Sequence, residues 1–140
     1  MKLHLITLTG TKFADDAYEV MLPTVSGPIA VFPGHAPIVT LVKDGVISVR
    51  RQKSDQDAQL DYYALTGGIA EITSEEVKVL VDEAEHSEEI NVSEAQKALE
   101  RAQALKTAAK DEVELEKAQL LIDRQSVRLQ VAGLRRHNRR

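Results

Sequence analysis

Residues 22–50 read LPTVSGPIAVFPGHAPIVTLVKDGVISVR. Short apolar runs, IAVF at 29–32, IVTLV at 38–42 and VISV at 46–49, alternate with the turn residues Ser26-Gly27-Pro28, Pro33-Gly34 and Asp44-Gly45. Runs this short, bounded by glycine and proline, read as strands rather than helices. Asp44-Gly45 fits the two positive-φ positions of a type I′ turn, so the runs on either side of it are expected to pair as a hairpin.

The same punctuation extends outward. LHLITL and AYEVML precede the stretch; YYAL, IAEIT and VKVLV follow it, separated by Gly10, Asp15-Asp16, Gly67-Gly68 and Ser74-Glu75. In VKVLV, Val77, Val79 and Val81 share one face, as a period of two requires. Many short, evenly spaced strands predict a β-sandwich or barrel.

After Glu88-Glu89 the character changes. From Asn91 to Ala132 there is neither Pro nor Gly. Asn91 caps a first helix, with Glu94 at the capping-box position. Ala95, Ala98, Ala102, Leu105 and Ala109 recur at helical spacing and form a stripe made almost wholly of alanine. A second helix is expected from about Asp111 to Ala132, with Leu115, Ala118, Ile122, Leu129 and Ala132 on one face, Leu121 beside it and Gly133 as its stop. KTAAKDE is short and polar enough for the turn between them. Charge divides at the same place. Residues 1–90 carry 15 Asp and Glu against 7 Lys and Arg, whereas residues 91–140 carry 7 against 11. Two domains follow: a sandwich over 1–88 and an antiparallel helical hairpin over 89–140.

Composition excludes several functions. With no Cys there is no disulfide, thiolate nucleophile or Cys-ligated zinc. No apolar run approaches the roughly 20 residues that span a bilayer, and the first ten residues lack a secretory h-region and cleavage site. A soluble, cytosolic chain is expected. His4, His35, His86 and His137 show no ligand spacing, and no Gly-rich phosphate loop is present. No cofactor is expected and the chain is not read as an enzyme.

The order Leu22-Pro23, Gly27, Pro33 to Pro37, Gly45 and Gly67-Gly68, followed by a helical hairpin, resembles the epsilon subunit family of F-type ATP synthases. The match covers nearly the whole chain. It implies a ten-stranded sandwich and a two-helix hairpin in a non-catalytic rotor subunit. The sandwich of such subunits docks on gamma and the c-ring, and the hairpin swings between a compact state and an extended state that blocks ATP hydrolysis. It also implies a peripheral seat on the cytoplasmic face of a bacterial plasma membrane. Where the family commonly has Gly-Glu-Leu/Ile-Gly, this chain has Gly27-Pro28-Ile29-Ala30, so Pro28 removes a loop carboxylate.

Candidate residues follow. His35 has no nucleophile or carboxylate beside it in sequence, and its rigid flanks favour a local turn or a binding loop over catalysis. Rotor docking is assigned by resemblance to Pro28, Phe32, His35, Val46 and Thr66. From Arg124 onward there are six Arg and no carboxylate. They suit the C-terminal end of a helix dipole. By resemblance, Arg124, Arg128, Arg135 and Arg136 would meet an acidic loop of the catalytic beta subunit, where the guanidinium fork pairs with carboxylates. A free-standing sandwich whose basic arm binds nucleic acid is the alternative, disfavoured by the acidic first half. Some bacterial relatives bind ATP without hydrolysing it through an Ile/Leu-Asp-x-x-Arg-Ala motif. Here Ile90 and Ala95 stand, Asn91 replaces Asp and Glu94 replaces Arg. Glu85, Arg101, Arg124 and Arg128 fall at matching positions. Such a half-present site predicts weak or absent ATP binding.

Overall fold

The computed structural model describes residues 1–138, with side chains through Arg135. The strands are β1 (Lys2–Thr7), β2 (Gly10–Asp16), β3 (Glu19–Thr24), β4 (Gly27–Val31), β5 (Ile38–Val42), β6 (Gly45–Arg50), β7 (Asp61–Leu65), β8 (Gly68–Ile72), β9 (Glu76–Val81) and β10 (Ala84–His86). Two helices follow, α1 (Val92–Ala108) and α2 (Glu112–Asn138). The sandwich-plus-hairpin expectation is met, with two strands the sequence pattern did not show. β2 buries only Phe13 and β10 is three residues long, so neither presents an apolar alternation.

The strands pair in the order β10-β7-β6-β3-β5-β8-β9-β1-β2, with β4 on β3. One layer holds β4, β3, β6, β7 and β10; the other holds β5, β8, β9, β1 and β2. A single residue pair, Thr24 with Val42, links β3 to β5. Between the layers lies an aliphatic core that includes Leu3, Leu5, Leu22, Ile47, Leu65, Ile72, Val77 and Val79, all at most 2 % exposed. Each such side chain contributes about 1.5–3 kcal/mol by leaving water.

The hairpin expected at Asp44-Gly45 does not form. β5 pairs with β8, whereas β6 pairs with β3 and β7, so the chain changes layer at this point. Gly45 does not have a positive φ. Its small size is used instead: an added Cβ would lie 2.8 Å from Cβ of Pro23. The chain crosses between layers again at residues 65–68 and 81–84. The crossings are tied together: Asp44 Oδ1 accepts from the Gly67 N–H at 2.7 Å, and Thr66 Oγ1 accepts from the Glu83 N–H at 2.8 Å.

Asn91 caps α1 as expected, its Oδ1 accepting from the Glu94 N–H at 3.0 Å, but among the described residues the Glu94 side chain does not return to the Asn91 N–H, so the capping box is half formed. α2 opens on a reciprocal cap: Asp111 Oδ1 accepts from the Glu114 N–H, and Glu114 Oε2 accepts from the Lys110 N–H. It does not stop at Gly133. A glycine without a following breaker costs only about 1 kcal/mol in a helix, and Val131 and Ala132 are already buried against the sandwich. The seam between the helices is narrow. Ala95, Ala102 and Ala118 are buried, while Leu105 and Leu115 of the expected stripes remain exposed. The helical unit is held to the sandwich through α2. Val131, Ala132 and Ile90 pack with Tyr62 and Ala64 of β7, flanked by Val46, Leu60 and Val127.

Candidate functional site

Alternation along β6 and β7 sends Ile47, Val49, Tyr63 and Leu65 into the core and Val46, Tyr62 and Ala64 outward beneath α2. Beside this apolar seam, arginines at 124, 128 and 135 fall on one helical face. Arg128 grips Glu85 of β10 at two points, Nε to Oε2 at 2.7 Å and Nη2 to Oε1 at 3.1 Å. Its Nη1 donates to Gln125 Oε1 at 2.8 Å. The hydrogen bonds that Arg128 donates to Glu85 outweigh the burial that opposes charge, so the Arg128 pKa is raised; Glu94 and Glu83 add to the attraction. Arg135 Nη1 donates to the Ser87 carbonyl at 2.5 Å, with Glu88 at 3.7 Å. Arg124 Nε is buried without a hydrogen-bond partner among the described residues, 4.0 Å from Asp44 Oδ2.

A cleft of about 560 Å³ lies between α2, the β1–β2 turn and the 81–84 crossing. Glu85, Arg124 and Arg128 share it, and Thr66 lies on its wall. Asn91, Glu94 and Arg101 do not line it. Asn91 caps α1, and Glu94 and Arg101 are exposed on that helix. Ile90 is buried in the seam rather than in the cleft. Asp82, Glu83, Glu85 and Glu89 outnumber Lys12, Arg124 and Arg128 around the opening. Arg136 lies on α2 with its side chain outside the described residues, as are Arg139 and Arg140.

The remaining expected residues lie elsewhere. His35 Nδ1 is 2.7 Å from the Ala36 carbonyl oxygen, in a loop held by the Gly34 N–H to the Ser74 carbonyl. Phe32 meets Tyr18 edge-on with ring centroids 5.7 Å apart. Pro28 sits in β4 opposite Pro23. Val46 lies beneath α2, apart from the loop of His35.

One surface was not anticipated. The register places Leu41 opposite Ile69, and Ile69 opposite Leu80. Ile6 of β1 continues that row beside Leu80. Val39, Leu41, Ile69 and Leu80 are 39–66 % exposed on the outer face of their layer. A signal existed in IVTLV, which is apolar at adjacent positions rather than alternate ones, the pattern of a strand covered on both faces.

Residues 1–87 match the family model described as ATP synthase, Delta/Epsilon chain, beta-sandwich domain, and residues 88–133 match the long alpha-helix domain of the same chains. The chain belongs to the ATP synthase delta/epsilon family. The ATP synthase epsilon chain of Gloeobacter violaceus is 32 % identical over 133 residues, covering 95 % of this chain and 97 % of that one. The chloroplastic epsilon chain of Coffea arabica is 38 % identical over 132 residues, covering 93 % and 96 %. Among solved structures, a chain of the Euglena gracilis mitochondrial ATP synthase assembly of OSCP, F1 and c-ring superposes with a TM-score of 0.79 at 23 % identity, over 94 % of this chain and 79 % of that one. A chain of the Tetrahymena thermophila mitochondrial ATP synthase central stalk and c-ring gives 0.55 at 14 % identity, over 99 % and 96 %. Those two likenesses are of fold. As an epsilon-type chain this is one subunit of an enzyme complex. No helix among the described residues is long and apolar enough to cross a membrane.

Proposed function

We propose that the chain is a non-catalytic rotor subunit whose sandwich joins gamma to the c-ring and whose hairpin restrains ATP hydrolysis. The observation that carries the docking half is the uncovered row Leu41, Ile69 and Leu80, with Val39 beside it. The opposite outer face is covered by α2; this one is covered by nothing among the described residues. A contiguous apolar strip on a rigid sheet is suited to a protein partner. Gamma is assigned as that partner by the family resemblance. The loop of Phe32 and His35 and the β4 edge at Pro28 are assigned to the same docking role, towards the ring. Val46 can join them only when α2 lifts.

A non-catalytic role is supported by how the histidines are used. His86 Nδ1 accepts the Glu88 N–H and its Nε2 is 3.2 Å from Asp61 Oδ1, while His35 serves its own loop. Nucleic-acid binding by the arginine arm gains no comparable support, because Arg124, Arg128 and Arg135 face the sandwich's own oxygens. The subunit sits peripherally on whichever membrane carries the complex; chloroplastic relatives fit as well as a bacterial setting. The test is gamma binding by Leu41→Asp and Leu80→Asp variants. Each should weaken binding at least tenfold, with circular dichroism unchanged. Wild-type affinity in both would remove the assignment.

A further inference from the structure

Three arginines on one face of α2 reach three different places on the sandwich: Arg124 towards Asp44, Arg128 onto Glu85, and Arg135 onto Ser87. The central contact has a form that a passing surface pair lacks. Both Glu85 oxygens meet separate guanidinium nitrogens, the third nitrogen is taken by Gln125, and both side chains are more than two-thirds buried. Two-point pairing fixes direction as well as distance. The fully buried part of the apolar attachment beside it is small, Val131, Ala132 and Ile90 on Tyr62 and Ala64, with Val46, Leu60, Val92, Val127 and Leu134 only partly buried around it. A small apolar seam leaves much of the choice between held and released states to the charges.

We propose that the Glu85–Arg128 pair is a built-in latch that keeps α2 on the sandwich without any nucleotide, and that carboxylates or salt competing for Arg128 release it. The inference rests on the regulatory reading of the hairpin for its purpose. It differs from that reading in naming what holds the closed state. In a site that relied on a bound polyanion, this arginine would be left open to phosphate. Here its fork is already filled by a carboxylate from the same chain. A phosphate would have to displace Glu85 beside Asp82, Glu83 and Glu89, all on the cleft wall. The field at Arg128 is therefore supplied internally, from Glu85 and, at longer range, from Glu83 and Glu94.

The chain has no cysteine, so donor and acceptor dyes can be placed on Ser54→Cys and Gln130→Cys, both exposed. Energy transfer in the intact isolated chain then reports whether α2 is down. In dilute buffer the wild type should be closed and unaffected by millimolar ATP. Potassium chloride should open it progressively, because screening shortens the reach of charge to about 10 Å at 0.1 M and about 3 Å at 1 M. Glu85→Gln should raise the open-to-closed ratio about tenfold and flatten the salt dependence, as expected for losing one charge-assisted pair. The swap of Glu85→Arg with Arg128→Glu should restore both closure and salt sensitivity. Equal closure in Glu85→Gln and wild type, a Glu85→Gln chain as salt-sensitive as wild type, or closure that tightens with micromolar ATP would each overturn the latch. Because this measurement uses no partner subunit, its failure is separable from failure of the regulatory reading, which hydrolysis by the assembled complex reports.

Discussion

Gly68 lies against the backbone of Leu80 so closely that an added Cβ would stand 2.0 Å from the Leu80 carbonyl oxygen and 2.8 Å from the Val81 α-carbon. Here the chain enters β8 after crossing between layers, and β9 is its immediate neighbour. The obstructing atoms are backbone, so no rotamer change can relieve them. Gly68→Ala should therefore lower stability by about 3 kcal/mol, the upper range for overpacking. Urea denaturation measures it, and a loss under 1 kcal/mol would contradict the close approach.

Gly133 carries the opposite prediction. It lies within α2, and an added Cβ would meet nothing within 4 Å. Alanine there should raise stability by about 0.5–1 kcal/mol through helix propensity alone. Closure of the hairpin should tighten rather than loosen. A destabilised Gly133→Ala chain would mean that α2 does not run continuously past this residue.

The two glycines show where the sequence was legible and where it was not. Local pattern exposed the strands, because Val77, Val79 and Val81 recur at a period of two and all three are buried. It exposed the helices through the capping Asn91 and the alanine spacing. It failed at Asp44-Gly45, where a dipeptide suited to a tight hairpin instead carries the chain between layers. Glycine is needed there because Pro23 stands against it, a contact made by residues 22 positions apart in sequence. The cleft was half legible. Arg124, Arg128 and Glu85 were singled out by resemblance, but their grip on one another depends on how β10 lies relative to α2. No spacing within either segment encodes that.

Tyr63 supplies a pH prediction. Its side chain points into the core and its ring lies edge-on to His86, with centroids 4.9 Å apart. Burial, with Asp61 adding repulsion, pushes its phenol up from 10.0 to about 12. A raised folded-state value means that the proton is held more tightly in the native protein. The associated stability is complete below pH 10 and is lost as pH rises towards 12. Absorbance titration should show one of the three tyrosines ionising late, together with unfolding. Tyr63→Phe should remove that late step; its persistence would assign it to another residue.

Truncation after Glu89 should leave a folded sandwich. The main core draws on residues 1–84 and none of the helices, and the cluster under α2 is separate from it. Tyr62 and Ala64 would become exposed, so some stability is lost, but the two layers keep their packing. The truncated chain should still bind gamma, and hydrolysis by the complex should be less restrained. A chain without the β signature in circular dichroism would show that the hairpin is part of the sandwich's fold.

ATP should bind the isolated chain weakly or not at all. Asn91 is neutral and committed to the cap of α1, and Glu94 places a negative charge where a cation would favour phosphate. The structure supplies a further obstacle in the carboxylates Asp82, Glu83, Glu85 and Glu89 around the cleft. Calorimetric titration with ATP should therefore give no heat below the millimolar range. Micromolar binding by the native chain would contradict this directly. The double variant Asn91→Asp, Glu94→Arg separates two causes. Recovered binding would assign the silence to those two positions on α1. Continued silence, relieved only when Glu85→Gln is added, would assign it to Glu85 filling the fork of Arg128. The second result is the expected one, because Asn91 and Glu94 lie outside the cleft and Glu85 lies within it.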